Sequence, residues 1–412
     1  MRTLAWAGGR RPWVGALCAL RGAMVALVGW LALAAWAQTV LPLGVLSWSD
    51  DPRYAPRRLE RAYPEQPGGR IDAAVQMALD DAALALEEAK LRVTVTEQAI
   101  ASEADLARVL ADWKKAGVHH IVADLPADWL TALAAQAPAA LGGALIINVS
   151  ADNDGLRNAR CAPTVLHTLP SRAMLSDALA QYLAAREWRK VLLLQGDSAP
   201  DHLLGQAVQR SARKYGLKIV QTKPFKLSGD PRERDLFNPR LLTNDREHDV
   251  VWVADADGEF ARSLPYATQW PRPVVGANGL MAMAWHPHWE RNGGPQVARR
   301  FAKRAQRPMR SHDWAAWMAV KTVVALALEK PKATVAQQVA ALRAAEVFVD
   351  GAKGPRLSYR AWDGQLRQPI LLAHGDGVVG KAPLDGVLHP KDVLDTLGTD
   401  EQESQCKTKA KP

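Results

Sequence analysis

"TLPSRAMLSDALAQYLAAREWRKVLLLQGD", Thr168–Asp197, decides how this chain is built. Its first part, with the preceding residues "VLHTLPS" (Val165–Ser171), reads as a short hinge strand. "SRAMLSDALAQYLAAREW" then reads as a helix and "KVLLLQGD" as a strand, apolar along most of its length. A strand this apolar, entered from a helix, belongs in a parallel sheet covered on both faces. The stretch is therefore a restart: one βα unit ends before it and a second begins within it.

Upstream, "VLPLGVLSW" (Val40–Trp48) is a strand, followed by a polar, proline-containing loop from Ser49 to Gly69. Ile71, Val75, Leu79 and Leu86 fall at helical spacing in "RIDAAVQMALDDAALALEEA", and "LRVTVTEQ" alternates as a strand. Ser102 and Gly117 bound the next helix as cap and stop. "VHHIVADLP", "ADWLTALAAQAPAA" and "ALIINVSADND" continue as strand, helix and strand. Downstream, "DHLLGQAVQRSARKYG" is a helix, while "LKIVQTKPF" and "HDVVWVADAD" are strands. "GEFARSLPYATQW" predicts a short helix, "RPVVGANG" a strand, and "GPQVARRFAKRAQ" and "SHDWAAWMAVKTVVALALE" two more helices. In "GLMAMAWHPHW" (Gly279–Trp289) the methionines read as core, and Asp363-Gly364 between two β-like runs predicts a hairpin turn. The fold class is α/β: two similar doubly wound lobes with parallel sheets, joined by hinge strands.

A chain of 412 residues exceeds a single core, which agrees with two lobes. Its 48% hydrophobic and 23% charged residues exclude extensive disorder away from the ends. Arg2, Arg10, Arg11 and Arg21 precede the uncharged run Gly22–Ala37, which carries Ala35 and Ala37 at its end. That pattern is a secretory signal peptide over residues 1–37, and the run is shorter than the ~20 apolar residues of a membrane span. Cleavage there takes four arginines from a formal charge of +9 and leaves +5, with the exported chain starting at Gln38. Nothing forms a basic stripe with interleaved aromatics, so nucleic acid is not an expected partner. Cys161 and Cys406 remain after cleavage, either as one disulfide or as two free thiols, because Cys406 sits in a tail (396–412) expected to be disordered.

Gly196-Asp197-Ser198, with Asp201 and His202 just beyond, raises the question of a serine nucleophile. A G-x-S-x-G elbow is absent, and a base four residues along the same helix rarely serves such a serine. A serine hydrolase using Ser198 is the remote reading, and a strand exit lining a ligand cleft is the main one. His119-His120 and the pair His286 and His288 lack a third ligand at metal spacing, so no metal or cofactor is expected.

With these elements in order, the mature chain resembles type I periplasmic substrate-binding proteins of the leucine/isoleucine/valine-binding class. The resemblance rests on the order of elements, on the opening stretch, on "HDWAAWMAVKTVVALALE" and on "GPRLSYRAWDGQLRQPILLA". The last segment, together with "GGRIDAAVQMALDDA", looks most like the ABC-transporter binding proteins associated with pyrroloquinoline-quinone-dependent alcohol oxidation. It implies a lobe 1 of residues 38–166 plus about 281–350, and a lobe 2 of 167–280 plus about 351–395. Such lobes close like a flytrap on a small molecule, and the closed monomer docks on an ABC permease and its ATPase. A detached periplasmic ligand sensor is the alternative on the same fold.

The resemblance also places candidate ligand contacts at the strand exits, where α/β sheets hold ligands. These are Trp48, Ala127, Ser150 and Asp152 in lobe 1, and Asp201, His202, Asp255 and Asn278 in lobe 2, with Trp285 near the second hinge crossing. Ala127 stands where amino-acid binders carry a hydroxyl, and Asp201 where they carry an aromatic residue, so ordinary branched-chain amino acids are doubtful ligands. Asp152 and Asp255 equally suit helix caps, and Trp48 suits packing between lobes.

Overall fold

The structure, a computed structural model, describes residues 38–406. The expected signal peptide therefore lies outside the described residues. Lobe 1 is a sheet of five parallel strands in the order β2-β1-β3-β4-β5: β1 (Thr39–Trp48), β2 (Leu91–Ile100), β3 (His120–Asp124), β4 (Leu145–Asn148) and β5 (Val165–His167). Its helices in this part of the chain are α1 (Pro56–Arg61), α2 (Asp72–Asp81), α3 (Ala83–Glu88), α4 (Leu106–Ala116) and α5 (Ala127–Leu141). β3 and β4 are buried at every residue, and their apolar runs Ile121–Ala123 and Leu145–Ile147 suit strands covered on both faces. Gly117 ends α4 in the left-handed conformation, and Ser102 with Asp105 forms a capping box before it.

Lobe 2 begins with α6 (Arg172–Ala185), β6 (Lys190–Gln195), α7 (Ala199–Lys214) and β7 (Lys218–Pro224). It continues through α8 (Pro239–Leu242), β8 (Val250–Ala254), β9 (Val274–Gly276) and β10 (Leu280–Met283). The chain then returns to lobe 1 for α9 (Gly294–Ala305), α10 (Ser311–Glu329), α11 (Val335–Arg343), β11 (Val349–Asp350) and β12 (Arg356–Leu357). β13 (Ile370–His374) and β14 (Gly377–Ala382) complete the second sheet in the order β14-β13-β10-β9-β8-β6-β7. Five of its strands are parallel, but β13 runs antiparallel to β10 and β14 antiparallel to β13, so this sheet is mixed.

α10 is buried almost all round, with Trp314, Ala315, Met318 and Val320 inaccessible in the core of lobe 1. At the hinge, His167 bridges to Gln365, and Thr168 Oγ1 donates to the Ala315 carbonyl at 2.8 Å. The buried Arg157 guanidinium donates to the carbonyls of Ala151 and Leu169 and to Gln365, tying the two neighbouring crossings together.

Several expectations need correction. "GEFARSLPYATQW" holds only a 3-10 turn at Leu264–Tyr266, because Asp255 draws the N–H groups of Gly258 and Ala261 into a turn and Pro265 has no N–H to offer. Met281 and Met283 are buried core residues as expected, and they lie on β10, which pairs with β9 and β13 in the second sheet. The expected disordered tail is ordered as far as Cys406. Val393–Thr396 forms a 3-10 turn, Lys214 donates to the carbonyls of Thr396 and Gly398, and Cys161 is disulfide-bonded to Cys406.

Candidate functional site

A cleft of about 430 Å³ lies between the lobes, within the range of small-molecule sites. In lobe 1 it sits beyond the carboxyl ends of the strands, and in lobe 2 it runs from the ends of β8 and β9 along the sheet face towards α6 and α7. The loop after β1 forms its lobe 1 rim. Arg310 holds that loop by donating to the carbonyls of Tyr63 and Gln66, both at 2.7 Å. Arg53 ion-pairs with Asp51 and with the buried Asp124, which also accepts from the Tyr54 hydroxyl at 2.7 Å. Burial pushes the Asp124 carboxyl up, but Arg53 and Tyr54 outweigh it and hold the group below its ordinary value.

Glu65 and His312 line the cleft from the same lobe. Ser311, first residue of α10, donates its hydroxyl to Glu65 and accepts the Ala284 and Trp285 N–H groups. Burial pushes the Glu65 carboxyl up to about 7, against the pull of Ser311 and Arg310. Burial and the nearby Arg53 charge push the His312 imidazole down to about 4, and its Nδ1 is buried without a hydrogen-bond partner.

The lobe 2 wall is largely apolar, with Leu175, Leu179, Leu204, Val208, Trp252 and Met281 facing the cleft. Gly276 closes its end at φ +109, where a Cβ would lie 2.4 Å from the Val253 carbonyl oxygen. Only glycine fits that approach. Across the mouth, Arg58 ion-pairs with Asp257 at 2.7 Å, Gln66 donates to the Ala256 carbonyl at 2.8 Å, and Arg61 and Tyr63 both bond Glu259. The lobes are closed on one another.

Of the sequence-derived candidates, the structure brings Ser150, Asp152 and Asp255 to the cleft. Asp152 ion-pairs with Arg172 at 2.8 Å, and burial pushes the Asp255 carboxyl up although it accepts from Gly258 and Ala261. The other candidates lie elsewhere. Trp48 packs on Trp129 at 5.3 Å inside lobe 1, and Ala127 starts α5 against the same lobe's core. Asp201 is buried in a capping box with Ser198 and accepts the Ala256 N–H at 2.7 Å, so it fixes the loop behind the cleft. Its carboxylate fills the space that any side chain at Gly196 would need. His202 is exposed and lies 2.6 Å from Gln195, and Asn278 holds the carbonyls of Ala261 and Arg262. Trp285 is buried in the lobe 1 core. Ser198 is a cap whose hydroxyl is bonded to Asp201, while the His202 ring lies against Gln195.

Arg53, Glu65, Gln66 and His312 escaped the sequence reading. For Arg53, Glu65 and Gln66 the length of the Ser49–Gly69 loop was the available signal, since irregular loops beyond about 12–15 residues are usually functional; His312, at the start of α10, had none.

Two α/β lobes, their crossings and the cleft between them define the type I periplasmic-binding-protein fold. A family model described as periplasmic binding protein matches residues 66–269, and the chain shares the fold of such proteins. Solved structures share the fold at low identity. A branched-chain amino acid ABC transporter ligand-binding protein from Burkholderia xenovorans is 15% identical with a TM-score of 0.65, covering 90% of this chain and 100% of its own. A Rhodopseudomonas palustris solute-binding protein in complex with 3,4-dihydroxybenzoic acid is 14% identical (TM-score 0.59; 83% and 94% covered). A Streptococcus pneumoniae branched-chain amino acid binding protein in complex with isoleucine is 15% identical (TM-score 0.60; 83% and 99% covered). No curated protein matches the chain by sequence. Among the described residues, no helix is long and apolar enough to cross a membrane.

Proposed function

We propose that this protein captures a small molecule in the periplasm and delivers it, as a monomer, to an ABC permease and its ATPase. The observation that carries this reading is the closed cleft, spanned by Gln66 to Ala256 and by Arg58 to Asp257. Bonds of this kind form only when the lobes meet, so a ligand touching both walls shifts the protein towards the closed form. Ser150, Asp152 and Asp255 are the proposed ligand contacts among the strand exits, joined by Arg53, Glu65 and His312. The closing segment's resemblance supports a link to pyrroloquinoline-quinone-dependent alcohol oxidation.

Affinity capture from detergent-solubilised membranes tests the reading. Recovery of a permease with its ATPase supports it, and recovery of a sensor kinase alone overturns it. Fractionation is expected to find the chain in the periplasm, beginning near Gln38.

A further inference from the structure

The charges of the cleft are matched before any ligand arrives. Arg53 is held by Asp51 and Asp124, Arg58 by Asp257, and Arg172 by Asp152. Both oxygens of Asp255 accept backbone N–H groups, and Glu65 accepts the Ser311 hydroxyl. Each guanidinium of the lining has a carboxylate partner, and the lining itself carries four carboxylates (Glu65, Asp152, Asp255 and Asp257) against three guanidiniums. An ionised carboxylate entering this space loses its water and must compete with Asp124, Asp152 or Asp257 for an arginine already paired. An amino-acid zwitterion needs separate partners for each end. An amine would have to share Asp255 with the Gly258 and Ala261 N–H groups, or Asp152 and Asp257 with the arginines they already pair.

Two neutral groups of the lining also have hydrogen-bonding capacity to spare. The His312 imidazole is held neutral and its Nδ1 is unpartnered; the Ser150 hydroxyl donates to the Leu125 carbonyl and keeps its lone pairs. Opposite them stands the aliphatic and Trp252 wall, which rewards an apolar body. Resting on the capture reading above, we infer that the ligand is an uncharged, mainly apolar small molecule bearing a hydroxyl or carbonyl group: an alcohol, aldehyde or ketone.

Two matched series test this by calorimetry and thermal shift on the purified full-length mature protein. The first is benzyl alcohol, benzaldehyde, benzoate, benzylamine and phenylalanine; the second is 3-methylbutanol, 3-methylbutanal, 3-methylbutanoate and leucine. At least one alcohol or aldehyde is expected to bind, with its charged analogues at least about tenfold weaker. Leu175→Trp, which fills the cleft from α6, is expected to abolish that binding while circular dichroism stays unchanged. Tighter binding of any acid, amine or amino acid overturns the inference and leaves the capture reading standing. Binding by no neutral probe also overturns it, and recovery of the permease then decides separately whether the capture reading survives.

Discussion

Gln66 of lobe 1 donates its side-chain amide to the carbonyl oxygen of Ala256 in lobe 2, at 2.8 Å and partly shielded from water. The neighbouring Arg58–Asp257 pair spans the same mouth, but the Asp257 side chain is 73% exposed. A shielded hydrogen bond is worth about 1 kcal/mol and an exposed ion pair commonly less. Gln66→Ala is therefore expected to weaken ligand affinity roughly five- to tenfold, mainly through faster dissociation, and Arg58→Ala by less. Stopped-flow release with X-ray scattering of the free variants checks this, since a weakened clasp also raises the open population.

The sequence made the lobes readable because long apolar strands and capped helices are local signals. β3, β4 and β6 announce themselves by composition alone, and Ser102 and Gly117 mark helix ends by their own chemistry. The cleft was harder, because its residues are set by distant partners. Arg53 faces the cleft through carboxylates 2 and 71 residues away, and nothing near it in sequence marks Asp124 as one of them. Asp201 shows the reverse: a strand-exit acid that looks like a ligand contact is consumed by its own turn.

Arg53 offers a second test. Removing it takes the ion-pair partner from the buried Asp124 and leaves the Tyr54 hydroxyl as its hydrogen-bond donor. Breaking a buried pair from one side commonly costs about 3–5 kcal/mol, so Arg53→Leu is expected to lower urea-unfolding stability by about that amount. Arg53→Leu combined with Asp124→Asn is expected to recover part of the loss, which a merely steric effect of the leucine would not allow.

Asp152 tests the charge matching of the cleft. Asp152→Asn leaves Arg172 without its carboxylate and should admit an anion. Benzoate affinity is expected to rise about tenfold by calorimetry while affinity for the uncharged probes changes little.

The tail gives a fourth prediction. Residues 393–400 bond to α7 of lobe 2, through Lys214 to Gly398 and Tyr215 to Thr396, and Cys406 is then joined to Cys161 of lobe 1. The disulfide therefore closes a loop of 245 residues and straps the lobes together. Losing a native disulfide typically costs about 2–5 kcal/mol, and Cys161→Ser with Cys406→Ser is expected to fall in that range in urea titrations. Dithiothreitol should reproduce the loss in the wild type and leave the double variant unchanged.

Glu65 and His312 face the same cleft with opposite pH dependence. Glu65 titrates at about 7 in the folded chain against an ordinary 4.5, so between those values the native state holds more protons than the unfolded one. Its contribution to stability is present below about pH 4.5 and declines as pH rises through 7. His312 titrates at about 4 against 6.5, so there the unfolded state takes the proton first, and stability is lost as pH falls from about 6.5 through 4. Each slope is at most about 1.4 kcal/mol per pH unit, and they oppose one another over the shared window. Glu65→Gln is expected to gain stability relative to wild type as pH rises from 4.5 to 7, and His312→Gln as pH falls from 6.5 to 4. Urea unfolding at pH 4.5, 5.5 and 6.5 reads both differences, and parallel curves for the two variants would show that neither group is held out of water as the cleft geometry requires.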